Sequence, residues 1–228
     1  MYGRELNGET LAFGHAGILY RRSFVMYDRG SESLWLHVTG EALKGPMKGQ
    51  RLEFLPSEIV PWGDWLERYP GTLVLGGERV EGFMSSFSLR EEFEEYGLSV
   101  GEGRGVTLFA YAALEAEPVR NDRVDGEPMV IVFDPETSFA AAYASQVDDE
   151  LLHFEIVDAA GLARAKPEIE LGAPGKYMRD TESGSIWDRS LGTCVAGAKR
   201  GSSLAQLPST PFLVNRWTVF FPEGRVVN

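Results

Sequence analysis

The alternation of apolar and polar residues predicts a chain of short strands separated by frequent turns. Short apolar runs recur, and each ends at a cluster of glycine, asparagine, aspartate, serine or proline. The apolar run Pro128–Phe133 predicts the most buried strand of the protein. The other runs that predict strands are Thr10–Phe13, Ile18–Tyr20, Phe24–Tyr27, Leu34–Val38, Arg51–Leu55, Thr72–Leu75, Ser138–Tyr143 and Leu151–Ile156. The last two are expected to form a hairpin across Asp148-Asp149.

The period of the pattern changes to that of a helix between Pro61 and Pro70. Trp62, Trp65, Leu66 and Tyr69 stand at the spacing that places four large apolar groups on one helical face. Because two turns of helix are not stable alone, we expect this helix to pack its tryptophans against a sheet. A capping box beginning at Ser88 predicts a second, acidic helix that ends at Gly97.

A stretch of the chain occurs twice. Met26–Leu75 recurs as Met178–Val227, offset by 152 positions without a gap. These two stretches are called the first and second copy below. Identical pairs include Asp28/Asp180, Trp35/Trp187, Gly40/Gly192, Gly45/Gly197, Leu52/Leu204, Pro56/Pro208 and Trp65/Trp217. We expect both tryptophan pairs in the core and each aspartate at the turn of an antiparallel hairpin.

The repeat and the strand pattern together predict a mainly β protein, a β-rich member of the α+β class. The predicted architecture has two tandem repeats of twisted antiparallel sheet, each with a short tryptophan-bearing helix, packed with pseudo-two-fold symmetry. The predicted boundaries are 1–75 for the first repeat unit, 76–105 for an insert, and 106–228 for the second unit. A single domain, barrel-like and sharing strands from both halves, is the alternative.

Composition and charge remove several classes of function. The net charge is −12 and no lysine- or arginine-rich run occurs, so nucleic acids and anionic membranes are not expected partners. Cys194 is the only cysteine, which excludes an intramolecular disulfide and a cysteine-rich zinc site, and the three histidines lack the spacing of a metal site. No apolar run is long enough for a membrane span and no signal-peptide pattern is present. We therefore expect a cytoplasmic protein without a metal or other cofactor.

Polar residues present only in the first copy are the candidates for function. Tyr27, Arg29, His37 and Glu41 are replaced in the second copy by Arg179, Thr181, Arg189 and Thr193. Together with Asp28 they lie on two strands that we expect to be hairpin neighbours. In a catalytic hypothesis, His37 is a general base beside Asp28, Arg29 and Glu41. In a binding hypothesis, Tyr27, Arg29, Trp35 and His37 contact a ligand.

Structural interpretations compete with these hypotheses. Asp28 is expected to hold its turn, and His37 to be an ordinary histidine. His15, between Gly14 and Ala16-Gly17, is expected in a turn. Cys194 is expected to be a small buried hydrophobe. The glycine-rich stretch Gly101–Gly105 indicates a turn rather than a phosphate-binding loop, because no Lys-Ser/Thr follows it.

The order of these motifs resembles the microbial family called domain of unknown function 3179. The resemblance is carried by GETLAFGHAGILYRRSFVMYDRGSESLWLHVTGEALKGP, by LEFLPSEIVPWGDWLERYPGTLVL, by the later VRNDRV and MVIVFDPET, and by the second copy. Members usually have a Cys-Pro-Leu-Cys-type motif where this chain has Asp134-Pro135-Glu136-Thr137, so thiol or metal chemistry is not implied here. By the logic of the repeat, an equivalent segment is expected before Met1, so the chain resembles an N-terminally short member. The resemblance implies a fold more than an activity.

Three functional hypotheses follow from the sequence. The first is a non-catalytic module that binds a small molecule at the interface between the repeats, or another protein. The second is an enzyme of the lyase, isomerase or hydrolase type that uses the cluster around His37, and it requires those side chains to converge. The third is a structural or assembly subunit, which requires an exposed apolar patch. The sequence does not indicate an oligomeric state.

Overall fold

The computed structural model describes residues 1–74, 95–102, 105–165 and 174–228. These residues form two compact units, Met1–Ser57 and Glu58–Asn228. The division falls inside the first copy of the repeat, so the helix of that copy belongs to the second unit. The described residues are mainly strand, and the prediction of a mainly β fold is confirmed. The boundaries of the two repeat units remain a prediction.

The first unit contains two antiparallel sheets. A small hairpin is formed by β1 (Glu5–Leu6) and β2 (Glu9–Thr10). A four-stranded meander follows, with β3 (Phe13–Tyr20), β4 (Ser23–Asp28), β5 (Leu34–Leu36) and β6 (Glu41–Lys44) in sequential order. The Arg21-Arg22 turn joins β3 to β4 with both residues at positive φ. The core of the unit centres on Trp35, with Leu11, Ala42 and Leu52 around it.

The second unit begins with α1 (Trp62–Arg68) and continues with β7 (Tyr96–Val100), β8 (Thr107–Ala110) and α2 (Tyr111–Ala116). Its remaining elements are β9 (Val119–Val124), β10 (Glu127–Asp134), β11 (Phe139–Ala144), β12 (Gln146–Val147), β13 (Glu150–Leu151), β14 (Phe154–Ile156), α3 (Ala159–Ala165), a 3-10 turn at Pro174–Lys176, β15 (Tyr177–Asp180), β16 (Ile186–Asp188), β17 (Thr193–Ala196), β18 (Ser209–Leu213), α4 (Val214–Phe220) and β19 (Arg225–Val227).

Four sheets organise the second unit. The orders are β11-β10-β9, β12-β13, β14-β15-β16-β17 and β18-β7-β8-β19. All neighbours are antiparallel except β8 and β19, which are parallel. The strand β10 is at the centre of its sheet, and Val130, Ile131, Val132 and Phe133 are completely buried, as the sequence predicted. Its two faces serve two different clusters of the core.

The structure extends the repeat beyond the stretch that the sequence aligned. The hydroxyl of Tyr2 donates to the carbonyl oxygen of Val38 at 2.7 Å, and that of Tyr143 donates to Ser190 at 2.8 Å. The β1–β2 hairpin matches β12–β13, and Phe13 meets Trp35 edge-on as Phe154 meets Trp187. Here the offset is 141 positions, from Tyr2 to Tyr143. The difference from 152 arises between β14 and β15, where α3 takes the place of the short Arg21-Arg22 turn.

Several local predictions are wrong. The hairpin across Asp148-Asp149 consists of β12 and β13, whereas β11 pairs with β10 and β14 pairs with β15. His15 lies in β3 beside a bulge, because Gly17 rather than His15 takes the positive φ. The run Arg51–Leu55 has isolated bridges at Arg51 and Phe54 but is not a continuous strand.

Two predictions concern the helix expected after Ser88 and the glycine-rich stretch Gly101–Gly105. The helix expected after Ser88 lies outside the described residues, and Gly97, its expected end, lies inside β7. A Cβ at Gly97 would lie 2.7 Å from the carbonyl oxygen of Phe109. Glycine at this position therefore allows β7 and β8 to approach each other closely. Gly101 has φ +84, which is consistent with the expected turn.

The two helices of the repeat differ in how they pack. Trp217 of α4 is completely buried, as expected, but α1 has no buried residue and Trp65 is only half-buried. The prediction that α1 buries its tryptophans is therefore wrong. The apolar spacing correctly predicted a helix. The spacing does not, however, determine which residues cover the apolar face of that helix.

Candidate functional site

Asp28 is the turn residue of its hairpin, as predicted, and it is completely buried. Its Oδ1 accepts from the backbone N–H of Ser31 at 2.5 Å, and its Oδ2 accepts from the Ser31 hydroxyl at 2.7 Å and the Trp35 indole at 2.9 Å. Burial alone would raise the pKa of Asp28, but the hydrogen bonds from Trp35 and Ser31 outweigh it and lower the pKa. A buried carboxylate with these donors holds the fold together.

The second copy repeats this arrangement atom for atom. Oδ2 of Asp180 accepts from the Ser183 hydroxyl at 2.9 Å and from the Trp187 indole at 2.8 Å, and its Oδ1 accepts from the backbone N–H of Ser183 at 2.5 Å. Both tryptophans are completely buried. Trp35 therefore presents no surface to a ligand, and its predicted role in ligand binding is not supported by its position.

His37 lies beyond the end of β5, against Ser23 and Phe24. Its Nδ1 is 3.2 Å from the hydroxyl of Ser23, and its ring meets Phe24 edge-on at 5.9 Å between centroids. His15 packs on the same phenylalanine at 4.6 Å. Although water reaches much of His37, partial burial and the positive charge of the N-terminus lower its pKa. Two histidines therefore flank the ring of Phe24.

The remaining candidates of the first copy have other partners. The guanidinium of Arg29 stands over the ring of Tyr27 at 5.8 Å, and Tyr27 lies on Gly14 of the neighbouring strand. Glu41 forms an ion pair of 2.7 Å with Arg51. Where the first copy has Gly14 beside Tyr27, the second copy has an ion pair between Glu155 and Arg179.

These side chains do not form the single cluster that the catalytic hypothesis requires. Tyr27 and Asp28 are consecutive in β4 and therefore point to opposite faces of the sheet. Phe24, the β4 residue beside His37, is four positions from Asp28, which corresponds to about 13 Å along the strand. The structure thus brings Tyr27 together with Arg29, and leaves His37, Asp28 and Glu41 at separate places.

A different polar group lines a recess of about 380 Å³ in the second unit. Such a volume lies in the range of small-molecule sites. The recess lies where β9 and the start of β10 meet the residues around the β12–β13 hairpin. Its lining residues are Asn121, Asp122, Arg123, Pro128, Met129, Ser145, Leu151, Leu152 and His153. It therefore combines an apolar wall with several charged and polar side chains.

Arginines surround Asp122 at one side of the recess. Oδ1 of Asp122 accepts from Arg225 at 2.8 Å, and its Oδ2 accepts from Arg120 at 3.2 Å. Burial would raise the pKa of Asp122, but the hydrogen bonds from Arg225, the Arg123 backbone and Arg120 lower it, so the group is a carboxylate at neutral pH. Arg123 donates to the carbonyl oxygen of Gly126 at 2.9 Å. Arg120 also pairs with Glu117 at 2.7 Å, and Arg123 contacts Asp122 only through its backbone N–H, so this side of the recess contains charges of both signs.

Asn121 fixes the floor of the recess. Its amide nitrogen donates to the carbonyl oxygen of Phe154 at 2.8 Å, and its amide oxygen accepts from the Phe154 N–H at 2.8 Å. This pair of bonds ties β9 to the start of β14. The asparagine therefore positions the neighbouring His153, and this contact uses one of its two N–H donors.

His153 stands at the other side of the recess and is held by Glu182. Its Nδ1 is 2.8 Å from Oε1 of Glu182, and its backbone N–H donates to Oε2 at 2.9 Å. Burial would raise the pKa of Glu182, but the hydrogen bonds from His153 lower it. Because the ionised carboxylate only accepts, Nδ1 of His153 must carry a hydrogen, and Nε2 of the neutral ring is then an acceptor.

Ser145, His153 and Glu182 are the residue types of a nucleophile, a base and an orienting carboxylate. Ser145 is only 2% exposed. The carboxylate–histidine contact is present, but within the described residues the hydroxyl of Ser145 makes no hydrogen bond to His153. The nucleophile–base contact of a hydrolase is therefore missing from this arrangement.

Sequence reasoning missed this recess because it is assembled from segments that are far apart in the chain. Comparison of the copies contains a signal for it. At the offset of 141 positions, Ser145 and His153 correspond to Arg4 and Ala12, so both polar groups belong to one copy only. The run Val119–Val124, polar at four central positions in the strand β9, is a second signal.

Cys194 is buried, as expected, and its Sγ is 3.4 Å from the carbonyl oxygen of Ala196. Burial raises the pKa of its thiol, so the cysteine is an inert hydrophobe at neutral pH. No helix in the described part of the chain is long and apolar enough to cross a membrane.

The fold and the sites define a class of β-rich protein in which one strand–turn–strand and helix unit occurs twice, with a polar recess beside the second copy. The chain belongs to the family described as protein of unknown function, DUF3179, whose model matches residues 1–99 and 103–228. The resemblance noted in the sequence is thereby confirmed. Searches of curated proteins and of solved structures found no match.

Proposed function

We propose that this protein is a non-catalytic binding module for a small organic acid, which it binds in the recess between Arg123 and His153. The observation that carries the proposal is the placement of a guanidinium and an imidazole at two sides of one recess of about 380 Å³. Among the residues that line the recess, the carboxylate of Asp122 balances the charge of Arg123, so the recess has no net positive charge. An acid is therefore bound through the N–H donors of Arg123 rather than through a general attraction of anions.

The chemistry of the ligand follows from the groups that line the recess. A guanidinium has five N–H donors, and Arg123 uses one of them for the carbonyl oxygen of Gly126. The others suit a carboxylate, which a guanidinium binds in a bidentate manner. With Nδ1 of His153 donating to Glu182, Nε2 is the ring atom that can contact a hydroxyl or amino group of the ligand. Met129 and Leu151 provide the apolar wall. These features favour a short hydroxy acid or amino acid.

The test is a calorimetric titration of the full chain with lactate, glycerate, malate and alanine, and with lactamide as the uncharged counterpart of lactate. We expect at least one acid to bind and lactamide to bind about tenfold more weakly, because it lacks the carboxylate. Arg123→Gln should weaken the bound acid about tenfold. Arg216→Gln is the matched control, because Arg216 is exposed on α4 and does not line the recess.

Two results would contradict the proposal. One is the absence of binding for every acid at millimolar concentrations. The other is binding that Arg216→Gln weakens as much as Arg123→Gln, which would indicate a general effect of charge. His153→Gln separates the two sides of the recess: it should weaken lactate binding, but should weaken acetate binding much less, because acetate has no hydroxyl for Nε2.

A further inference from the structure

The helix at the end of each copy and the turn that follows it have the same local structure. The helices α1 and α4 are both seven residues long and lie at equivalent positions. The N–H of Tyr69 donates to the carbonyl oxygen of Trp65 at 2.8 Å, and that of Phe221 donates to Trp217 at 2.9 Å. The following turns also match, with bonds of 3.0 Å from Thr72 and 3.1 Å from Gly224. The segments can therefore be compared residue by residue.

In the second copy, this segment is covered by a β-hairpin. The strands β7 and β8 lie between β18 and β19, so the hairpin completes a four-stranded sheet. The indole of Trp217 donates to the hydroxyl of Ser99 on β7 at 2.8 Å and packs with Val106 and Leu108. The hairpin thus pairs with β18 on one side and with β19 on the other, and its apolar side chains cover α4.

In the first copy, the equivalent segment lacks these partners within the described residues. The residues on either side of α1, 58–61 and 72–74, are not strands. The Trp65 indole bonds locally to the hydroxyl of Thr72 at 2.9 Å. Exposure is 67% for Ile59, 52% for Trp62 and 94% for Leu73. An open recess of about 350 Å³ lies among Glu58–Val60, Trp62 and Trp65.

At three exposed positions, the first copy has a larger or more apolar side chain than the second copy. Ile59, Trp62 and Leu73 stand where the second copy has Pro211, Val214 and Arg225. Single exposed apolar residues are ordinary, but a contiguous group of them marks an interaction site. Ile59, Trp62, Trp65, Leu73 and Val74 are called the α1 surface below.

We propose that the α1 surface binds an apolar β-hairpin of a partner polypeptide, in the way that β7–β8 binds α4. The partner strands pair with segments 58–61 and 72–74, and their side chains cover Trp62 and Trp65. This mode of recognition combines backbone hydrogen bonds along sheet edges with side chains in apolar pockets. The chemistry of the partner is defined by β7 and β8: two short apolar strands with a small polar residue facing the indole.

The probe that tests this proposal is a peptide of residues 97–110 with a cysteine added at each end. Gly97 and Ala110 are partners in the register, so a disulfide between the added cysteines holds the hairpin closed. Binding is followed by tryptophan fluorescence. Trp35, Trp187 and Trp217 are completely buried, so a change of solvent exposure on binding reports on Trp62 and Trp65.

We expect a saturable blue shift when the closed hairpin is added to the full chain. Trp62→Ser and Leu73→Ser should each weaken binding about tenfold, because both remove apolar surface from the contact. Ile156→Ser is the matched control: Ile156 is 47% exposed on β14, outside the α1 surface, and its replacement should leave binding unchanged. This combination of results supports the proposal.

Quenching by acrylamide in the absence of peptide completes the test. If Trp62 is accessible to acrylamide in the free protein and no saturable shift occurs, the proposal is wrong. If acrylamide quenching is the same in the wild type and in Trp62→Phe, the α1 surface is already covered, and a foreign hairpin is not its partner. Sedimentation then shows whether the cover is a further copy of this protein.

Discussion

The indole N–H of Trp187 donates a hydrogen bond of 2.8 Å to Oδ2 of Asp180, and both residues are completely buried. The same bond joins Trp35 to Asp28 at 2.9 Å. Ser31 and Ser183 complete the network in the two copies. Each serine donates both its backbone N–H and its hydroxyl to the aspartate of its own copy. This carboxylate network, rather than any apolar contact, is the best preserved feature of the repeat.

Replacement of either aspartate by asparagine is expected to destabilise the protein. Asp180→Asn places an NH2 group among donors that need an acceptor, and should lower the free energy of unfolding by about 2–3 kcal/mol. Asp28→Asn should have an effect of similar size. Urea unfolding followed by circular dichroism measures both. Asp149→Asn is the control, because this exposed residue has φ +64, which asparagine tolerates, and the change should stay within about 0.5 kcal/mol.

The contribution of Asp28 to stability should disappear in acid. Its pKa in the folded protein is below the ordinary value, since the hydrogen bonds outweigh burial. Its contribution is therefore fully present above the unfolded pKa of about 3.9, and is lost as the pH falls through the folded pKa. We expect the difference in unfolding free energy between the wild type and Asp28→Asn to be constant from pH 7 to 5 and to shrink below about pH 4. A difference independent of pH would show that the charge of Asp28 is unimportant.

Gly192 should not tolerate a side chain, for two separable reasons. It has φ +66, and a Cβ there would lie 2.8 Å from Cε1 of Tyr143. Gly192→Ala should cost about 3 kcal/mol or more in unfolding free energy, from backbone strain and overpacking together. Gly201 has φ +93 but open space around it, so Gly201→Ala should cost only about 1–2 kcal/mol. Equal costs at the two positions would show that the contact with Tyr143 is not tight.

The two helical tryptophans should differ strongly in their effect on stability. Trp217→Ala removes a buried indole and leaves the hydroxyl of Ser99 without its donor, and should cost about 3–5 kcal/mol. Trp65→Ala should cost about 1 kcal/mol, because Trp65 is half-buried and its main ring contact is Tyr69 at 4.4 Å. Unfolding in urea compares the two variants directly. A large loss for Trp65→Ala would indicate that α1 is covered in solution.

Features that depend on nearby residues were predictable from the sequence. The turn at Asp28 follows from a carboxylate that reaches N–H groups three and five positions ahead. The buried strand β10 follows from its uninterrupted apolar run. The helix α1 follows from the spacing of Trp62 and Trp65. In each case, the local pattern contains the cause of the structure.

Features that depend on distant partners were not predictable in the same way. The apolar face of α1 looked like a core face because spacing does not encode what lies opposite, whereas Trp217 is covered by strands more than a hundred residues away. The hairpin at Asp148-Asp149 was predicted with strands that are too long, because β11 and β14 have better partners in β10 and β15. The recess around His153 depends on Asn121, whose side chain binds the backbone of Phe154, 33 positions away.

The connection between β3 and β4 is shorter than the one between β14 and β15. This difference in length has a practical consequence. The fold closes this connection with the short Arg21-Arg22 turn in one unit and with a longer segment that includes α3 in the other. The tip of the β3–β4 hairpin is therefore a permissive insertion point. An affinity tag or a genetically encoded reporter placed between Arg21 and Arg22 would lengthen a connection that the architecture already tolerates in a longer form.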